Sequence, residues 1–116
     1  MRAILSVSDK AGLVDFAKGL AHITGGGFEG NVPRTLPKGL GAHFDKGSWS
    51  MPPIFPLIQP QGRIDDAEMY RVSNMGVGMA VVCSPEDVKR LKKSMPEAKL
   101  VGEVVKQKGQ TRVRID

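Results

Sequence analysis

Apolar residues come in short runs along this chain, and their spacing changes from run to run. Arg2–Val7 has the apolar content of a strand. Ser8 follows as a helix N-cap, and the spacing of Leu13, Phe16 and Ala17 predicts a helix over Lys10–Lys18, closed by Gly19. Leu20–Thr24 reads as a second strand, and a strand–helix–strand unit favours parallel pairing. A short helix is expected over Gly27–Leu36, stopped by Pro37, then a third strand over Leu40–Asp45. Ile54–Ile58 has helical spacing, but Pro56 and Pro60 predict a short or broken helix, because proline removes a donor and clashes with the preceding turn. Asp65 with Glu68 resembles a capping box. The helix after it is expected over about Asp66–Asn74, with Met69 and Val72 on one face and Gly76 at its end. Gly78–Cys83 is almost wholly apolar and reads as a strand buried on both faces. Ser84-Pro85-Glu86-Asp87 is a helix start, and Val88, Leu91 and Met95 form the inward stripe behind it. Lys99–Val105 and Thr111–Ile115 read as two strands of an antiparallel hairpin. The sum is an α+β domain, with helices layered on a mixed sheet of about six strands, partly like a ferredoxin fold.

Composition narrows this picture. At 116 residues the chain is one domain or part of one. It buries roughly two thirds of its unfolded surface, enough for a modest core. One Trp, one Tyr and four Phe point to an aliphatic core. A lone cysteine, Cys83, excludes an internal disulfide framework and suits a reducing compartment. No apolar run reaches the ~20 residues of a membrane span, and no signal peptide is visible, so the cytoplasm is the expected location. The net charge of +5 raises nucleic acid as a partner. The basic residues cluster at Lys89, Arg90, Lys92 and Lys93, and again at Lys106, Lys108, Arg112 and Arg114. No aromatic residues interleave them, so a base-stacking platform is lacking and nucleic acid is disfavoured. Solvated helix and strand faces explain the clusters, with a small anionic substrate as the next reading.

The candidate chemistry centres on Ala21–Arg34. Its order predicts a strand, a tight turn through Gly25, Gly26 and Gly27, and the first turns of a helix. Free N–H groups at such a turn can form an anion-binding concavity for phosphate or carboxylate. No Gly-Lys-Ser/Thr follows, so it is not a phosphate loop of the Walker type, and it is not the dinucleotide fingerprint either. A turn in which glycine only relieves crowding is the alternative. Asn74-Met75-Gly76-Val77-Gly78 offers a second close approach of backbone, to a strand or to a ligand. His22 and His43, on strands expected to be neighbours, lack partners at metal-ligand spacing, so no metal site is expected. Asp65, Asp66 and Glu68 suit helix capping better than acid–base work, and Cys83 reads as a buried structural thiol.

At this point the chain resembles a known family. Ala21-His22-Ile23-Thr24-Gly25-Gly26-Gly27-Phe28, Asn31-Val32-Pro33-Arg34, Gly47-Ser48-Trp49 and Pro53-Ile54-Phe55 occur in the order seen in aminoimidazole ribonucleotide synthetase, the phosphoribosylformylglycinamidine cyclo-ligase. Glu68-Met69-Tyr70-Arg71, Asn74-Met75-Gly76-Val77-Gly78-Met79 and Gly102-Glu103-Val104-Val105 continue the match. From about Lys18 to Ile115 the chain resembles that family's C-terminal domain. Residues 1–19, through Arg2–Lys10 and Gly12–Ala17, resemble instead the opening strand and helix of the bifunctional formyltransferase and inosinate cyclohydrolase of the same pathway. The expected division is therefore 1–19 and 20–116, as in a fusion of two genes. Pro56 and Pro60 stand where the synthetase family continues a helix, and Val72-Ser73 stands where Thr-Phe is usual.

The resemblance implies a purine-biosynthetic activity, ATP-dependent closure of formylglycinamidine ribonucleotide to aminoimidazole ribonucleotide. ATP and Mg²⁺ are the implied cofactors. The N-terminal domain that carries most of their contacts and builds the family's homodimer is expected to be lacking here, which makes this chain inactive alone. The anionic ribonucleotide would meet backbone N–H groups of Gly25, Gly26, Gly27, Gly76 and Gly78, with His22, Thr24, Asn31 and Asn74 as polar neighbours. No complete catalytic set is assigned. A non-catalytic phosphate- or nucleotide-binding module and a basic nucleic-acid-binding domain stand as alternatives.

Overall fold

The computed structural model describes residues 2–7 and 19–116; the helix expected over Lys10–Lys18 lies outside them. Among the described residues, six strands form one sheet: β1 (Arg2–Val7), β2 (Gly19–His22), β3 (Leu40–Phe44), β4 (Met79–Cys83), β5 (Lys99–Lys106) and β6 (Val113–Ile115). Four α-helices accompany them: α1 (Gly27–Asn31), α2 (Ile54–Gly62), α3 (Asp66–Val72) and α4 (Val88–Ser94). The strand order is β2-β4-β1-β5-β3-β6. All pairs are antiparallel except β3 with β6, which is parallel. This is the mixed, helix-layered α+β sheet that the hydrophobic pattern predicts.

Period-two alternation divides the core between the two faces of the sheet. On one face Ile4, Ala21, Ala42, Phe44, Ala80, Val82, Val104 and Val113 meet Phe28 of α1 and Met69 and Tyr70 of α3. On the other, Ala3, Leu5, Val81 and Cys83 meet Leu91 and Met95 of α4 and its following turn. The run Gly78–Cys83 is apolar throughout because β4 feeds both layers, as expected of a strand buried on both sides. The first layer is more aromatic than the composition suggests. Phe28 sits edge-on to Phe44 at 5.0 Å, stacked on Trp49 at 6.2 Å and tilted against Tyr70 at 5.6 Å between ring centroids. With few aromatic residues in the chain, most of them have been gathered at one point.

Several expectations are corrected. β1 and β2 run in the same direction but do not pair, because β4 inserts between them antiparallel to both. β5 and β6 do not form a hairpin. β3 lies between them, and the turn after β5 keeps only a bridge from Lys108 to Thr111. His22 and His43 are accordingly on distant strands, not neighbouring ones. α2 is short, as expected, at nine residues, but it is not broken. Pro56 falls in its first turn, where an N–H has no intrahelical acceptor anyway, and Pro60 interrupts only the last turns. Val72 is half exposed while Met69 is buried, so α3 turns one residue of the expected stripe outward. Ser84 makes no side-chain cap bond, whereas Asp65 Oδ1 accepts from the Glu68 N–H at 2.8 Å. The box is half formed, because the Glu68 carboxylate pairs with Arg71 instead.

Candidate functional site

The strand, glycine turn and short helix expected over Ala21–Arg34 are present as β2, the turn through Gly26, and α1. The glycines have different reasons. Gly26 takes φ 96° and Gly27 φ 59°, the left-handed region that side chains rarely adopt. A Cβ on Gly27 would fall 2.2 Å from the Tyr70 carbonyl oxygen, so this glycine lets α1 and α3 touch through their backbones. A Cβ on Gly25 would meet nothing within 4 Å. Gly25 and Gly26 are exposed and Gly27 is buried, so only the first two present backbone to solvent.

Asn31 is the strut of the turn. Its Nδ2 donates to the Gly27 carbonyl at 2.7 Å and reaches the Gly25 and Thr24 carbonyls at 3.4 and 3.5 Å. Its amide hydrogens are thus directed into the protein's own backbone. The Gly27 N–H is spent in the same way, on the Thr24 carbonyl at 3.0 Å. Thr24 and His22 are exposed beside it, with His22 on the face opposite Ala21 and Ile23.

The second glycine segment adjoins the first, since the Ile23 N–H donates to the Gly78 carbonyl at 2.9 Å. Asn74 folds the segment back on itself. Its Oδ1 accepts from the Gly76 N–H at 2.9 Å and its carbonyl from the Val77 N–H at 2.8 Å. Met75 has φ 49° and Gly76 φ 96°. The Met75 carbonyl accepts from the Trp49 indole at 3.0 Å, and a Cβ on Gly76 would strike the Pro52 ring at 2.4 Å. The segment is therefore pinned by the chain between Trp49 and Pro52, which composition and spacing alone do not connect to it. Gly76 and Gly78 line a depression with Ser6, Trp49, Ser50, Glu97 and Lys99. Gly26 lines another with Glu29, Gly30, Arg71 and Val72. Of the nine expected site residues, Gly76 and Gly78 line the first opening and Gly26 the second; the other six line neither. Lys99 and Arg71 are the cations beside them. Neither stands out in the sequence, because each lies in an ordinary amphipathic strand or helix.

His43, Cys83 and Tyr70 line neither opening. His43 Nε2 lies 2.9 Å from Asp116 Oδ2. Burial pushes the Cys83 thiol up, with the Asp87 charge adding to it, which opposes thiolate formation. Burial likewise raises the Tyr70 phenol, and Lys46 sits 5.3 Å over its ring. Among the described residues there is no group of three or more His, Cys, Asp or Glu side chains that could hold a metal ion.

The geometry defines a class first: a mixed-sheet α+β domain whose glycine-built turns meet at one end of the sheet. The C-terminal domain of AIR synthase related proteins matches residues 3–114, and the chain belongs to that family. It is 45% identical over 113 residues to the chloroplastic phosphoribosylformylglycinamidine cyclo-ligase of Arabidopsis thaliana, covering 94% of this chain and 28% of the relative. It is 48% identical over 95 residues to the cyclo-ligase of Bacillus cytotoxicus, covering 78% of this chain and 27% of the relative. The chain thus spans little more than a quarter of the length of these curated relatives. Among solved structures, the hydrogenase maturation protein HypE of E. coli shares the fold, with a TM-score of 0.68 and 16% identity over 98% of this chain and 46% of that one.

Proposed function

We propose that this chain supplies the C-terminal-domain part of a phosphoribosylformylglycinamidine cyclo-ligase and is inactive alone. The reaction is the ATP-dependent closure of formylglycinamidine ribonucleotide to aminoimidazole ribonucleotide. The observation that carries the reading is the 45% identity to a cyclo-ligase along nearly the whole chain, combined with coverage of only 28% of that relative. The anionic ribonucleotide is assigned to the exposed backbone of Gly25, Gly26, Gly76 and Gly78, with Thr24 and His22 beside it. Asn31, Asn74 and Gly27 hold those backbones in place. By the family resemblance most ATP and Mg²⁺ contacts fall to the part of such an enzyme that this chain does not span, and no catalytic residue is assigned. The proposed location is the cytoplasm. The division at residues 19 and 20 belongs to the same reading, with β1 filling an interior position of the sheet whatever its origin.

The test is ADP release from ATP with formylglycinamidine ribonucleotide, first with the purified chain and then with the N-terminal part of the Bacillus cytotoxicus relative added. No turnover alone and measurable turnover on addition is the expected result. Turnover by the chain alone overturns the incompleteness, and no turnover in either arm, with both parts folded, counts against the assignment.

A further inference from the structure

The second basic cluster of the sequence has no part in the proposed site, and the fold gives it a shape. Register places Glu103 of β5 opposite His43 of β3, and His43 opposite Arg114 of β6. Ala42 and Phe44 face the aromatic layer, so His43 and its cross-strand neighbours project from the other face of the sheet. There they line a cavity of about 290 Å³ with Arg112, joined by Lys106 at the end of β5, whose register position falls on the Val104 side, and by Lys108 in the turn after it.

The cations around this cavity differ in what they have left to offer. The Arg112 guanidinium donates to the carbonyls of Leu40, Pro37 and Leu36, with the Leu40 contacts at 2.9 and 3.1 Å, so it contributes charge but is otherwise committed. Arg114 Nε pairs with Asp116 at 3.0 Å. The ammonium groups of Lys106 and Lys108 have no ion pair among the described residues. Both lysines stand on an anchored frame. The Gln107 N–H donates to the Gly39 carbonyl at 3.0 Å, and the Gln107 side chain donates to the Gly109 carbonyl at 2.9 Å. Four cations, His43, Thr111 and one carboxylate, Glu103, therefore line the concavity, and the two lysines are the cations with neither an ion pair nor a backbone bond among the described residues.

The geometry points to a second anion site on this face, one that takes a small phosphate-bearing molecule. The lining disfavours nucleic acid. The cavity lies just below the roughly 300–1,000 Å³ of ligand clefts, and no Phe, Tyr or Trp lines it for base stacking. This site is separate from the glycine turns, and its occupancy is read without ring closure.

Pyrophosphate titrated into the full chain at low salt, followed by calorimetry, tests the assignment. Saturable binding is expected, weakened about tenfold or more in the double variant Lys106→Gln/Lys108→Gln. The double variant Lys92→Gln/Lys93→Gln on α4 removes the same charge elsewhere and is expected to bind like the parent. Glu103→Gln is expected to bind more tightly, a gain that a misfolded variant could not produce. No saturable binding, or equal losses in the two double variants, overturns the site. Tighter binding of a short random-sequence duplex than of pyrophosphate, with the same dependence on Lys106 and Lys108, overturns the small-molecule assignment in favour of nucleic acid.

Discussion

Three adjacent glycines carry three different burdens, and substitution separates them. Gly25→Ala is expected to change stability by no more than about 0.5 kcal/mol, because the added methyl enters open space. Gly26→Ala is expected to cost about 1–2 kcal/mol, the price of a side chain in the left-handed region. Gly27→Ala is expected to cost about 3 kcal/mol or more, since the same strain is joined by a collision with the Tyr70 carbonyl. Chemical denaturation of the three variants gives the ranking; equal losses for Gly26→Ala and Gly27→Ala, with none for Gly25→Ala, would show that the turn is limited by conformation alone. The contrast also marks how far the site was legible. That glycine is needed at this turn follows from the order of strand, turn and helix. Which glycine serves helix contact and which faces solvent depends on where α3 lies, and nothing in Ala21–Arg34 specifies that. The same holds for Asn31, a polar neighbour of a ligand by resemblance and a strut of the backbone by its hydrogen bonds.

At the scale of elements, α4 is the clearest case of pattern becoming packing. Its spacing predicts Val88, Leu91 and Met95 inward, and Leu91 and Met95 are buried against β1 and β4. Leu91→Ala is expected to cost about 2–5 kcal/mol, since it opens a cavity in a layer of only a few side chains. Val72→Ser on α3 is expected to stay within about 0.5 kcal/mol, because Val72 is 50% exposed. Urea unfolding of both variants checks the pair, and a large loss for Val72→Ser would mean that its exposed face is covered in solution. Strands and helices were legible here because burial imposes periods of two and 3.6 on the residues themselves. Strand partnership was not. The order of β2, β4 and β1 is set by contacts between segments far apart in sequence, and the short loop after β5 suggested a hairpin that β3 in fact separates. α2 shows the converse, in that proline position within a helix matters more than proline content.

For the molecule as a whole, pH should act from the alkaline side. Cys83 and Tyr70 are neutral when protonated, and burial favours that form, so the folded chain holds both protons to higher pH than the unfolded chain. Their contribution to stability is complete below the ordinary thiol and phenol ranges and is lost as pH rises through the raised values. The thermal midpoint is therefore expected to fall at alkaline pH, and the fall should become shallower in Cys83→Ala and Tyr70→Phe. An alkaline limb unchanged in both variants would assign the effect to other groups.

The position of β1 has a consequence in time. Its neighbours on either side, β4 and β5, begin more than seventy residues further along the chain. A ribosome must therefore release most of the domain before the second residue finds its partners, and until then Ile4 and Leu5 have no sheet to enter. Pairings so distant in sequence make folding slow relative to local structures of the same stability. The interval between synthesis and closure is when this chain would depend most on a chaperone.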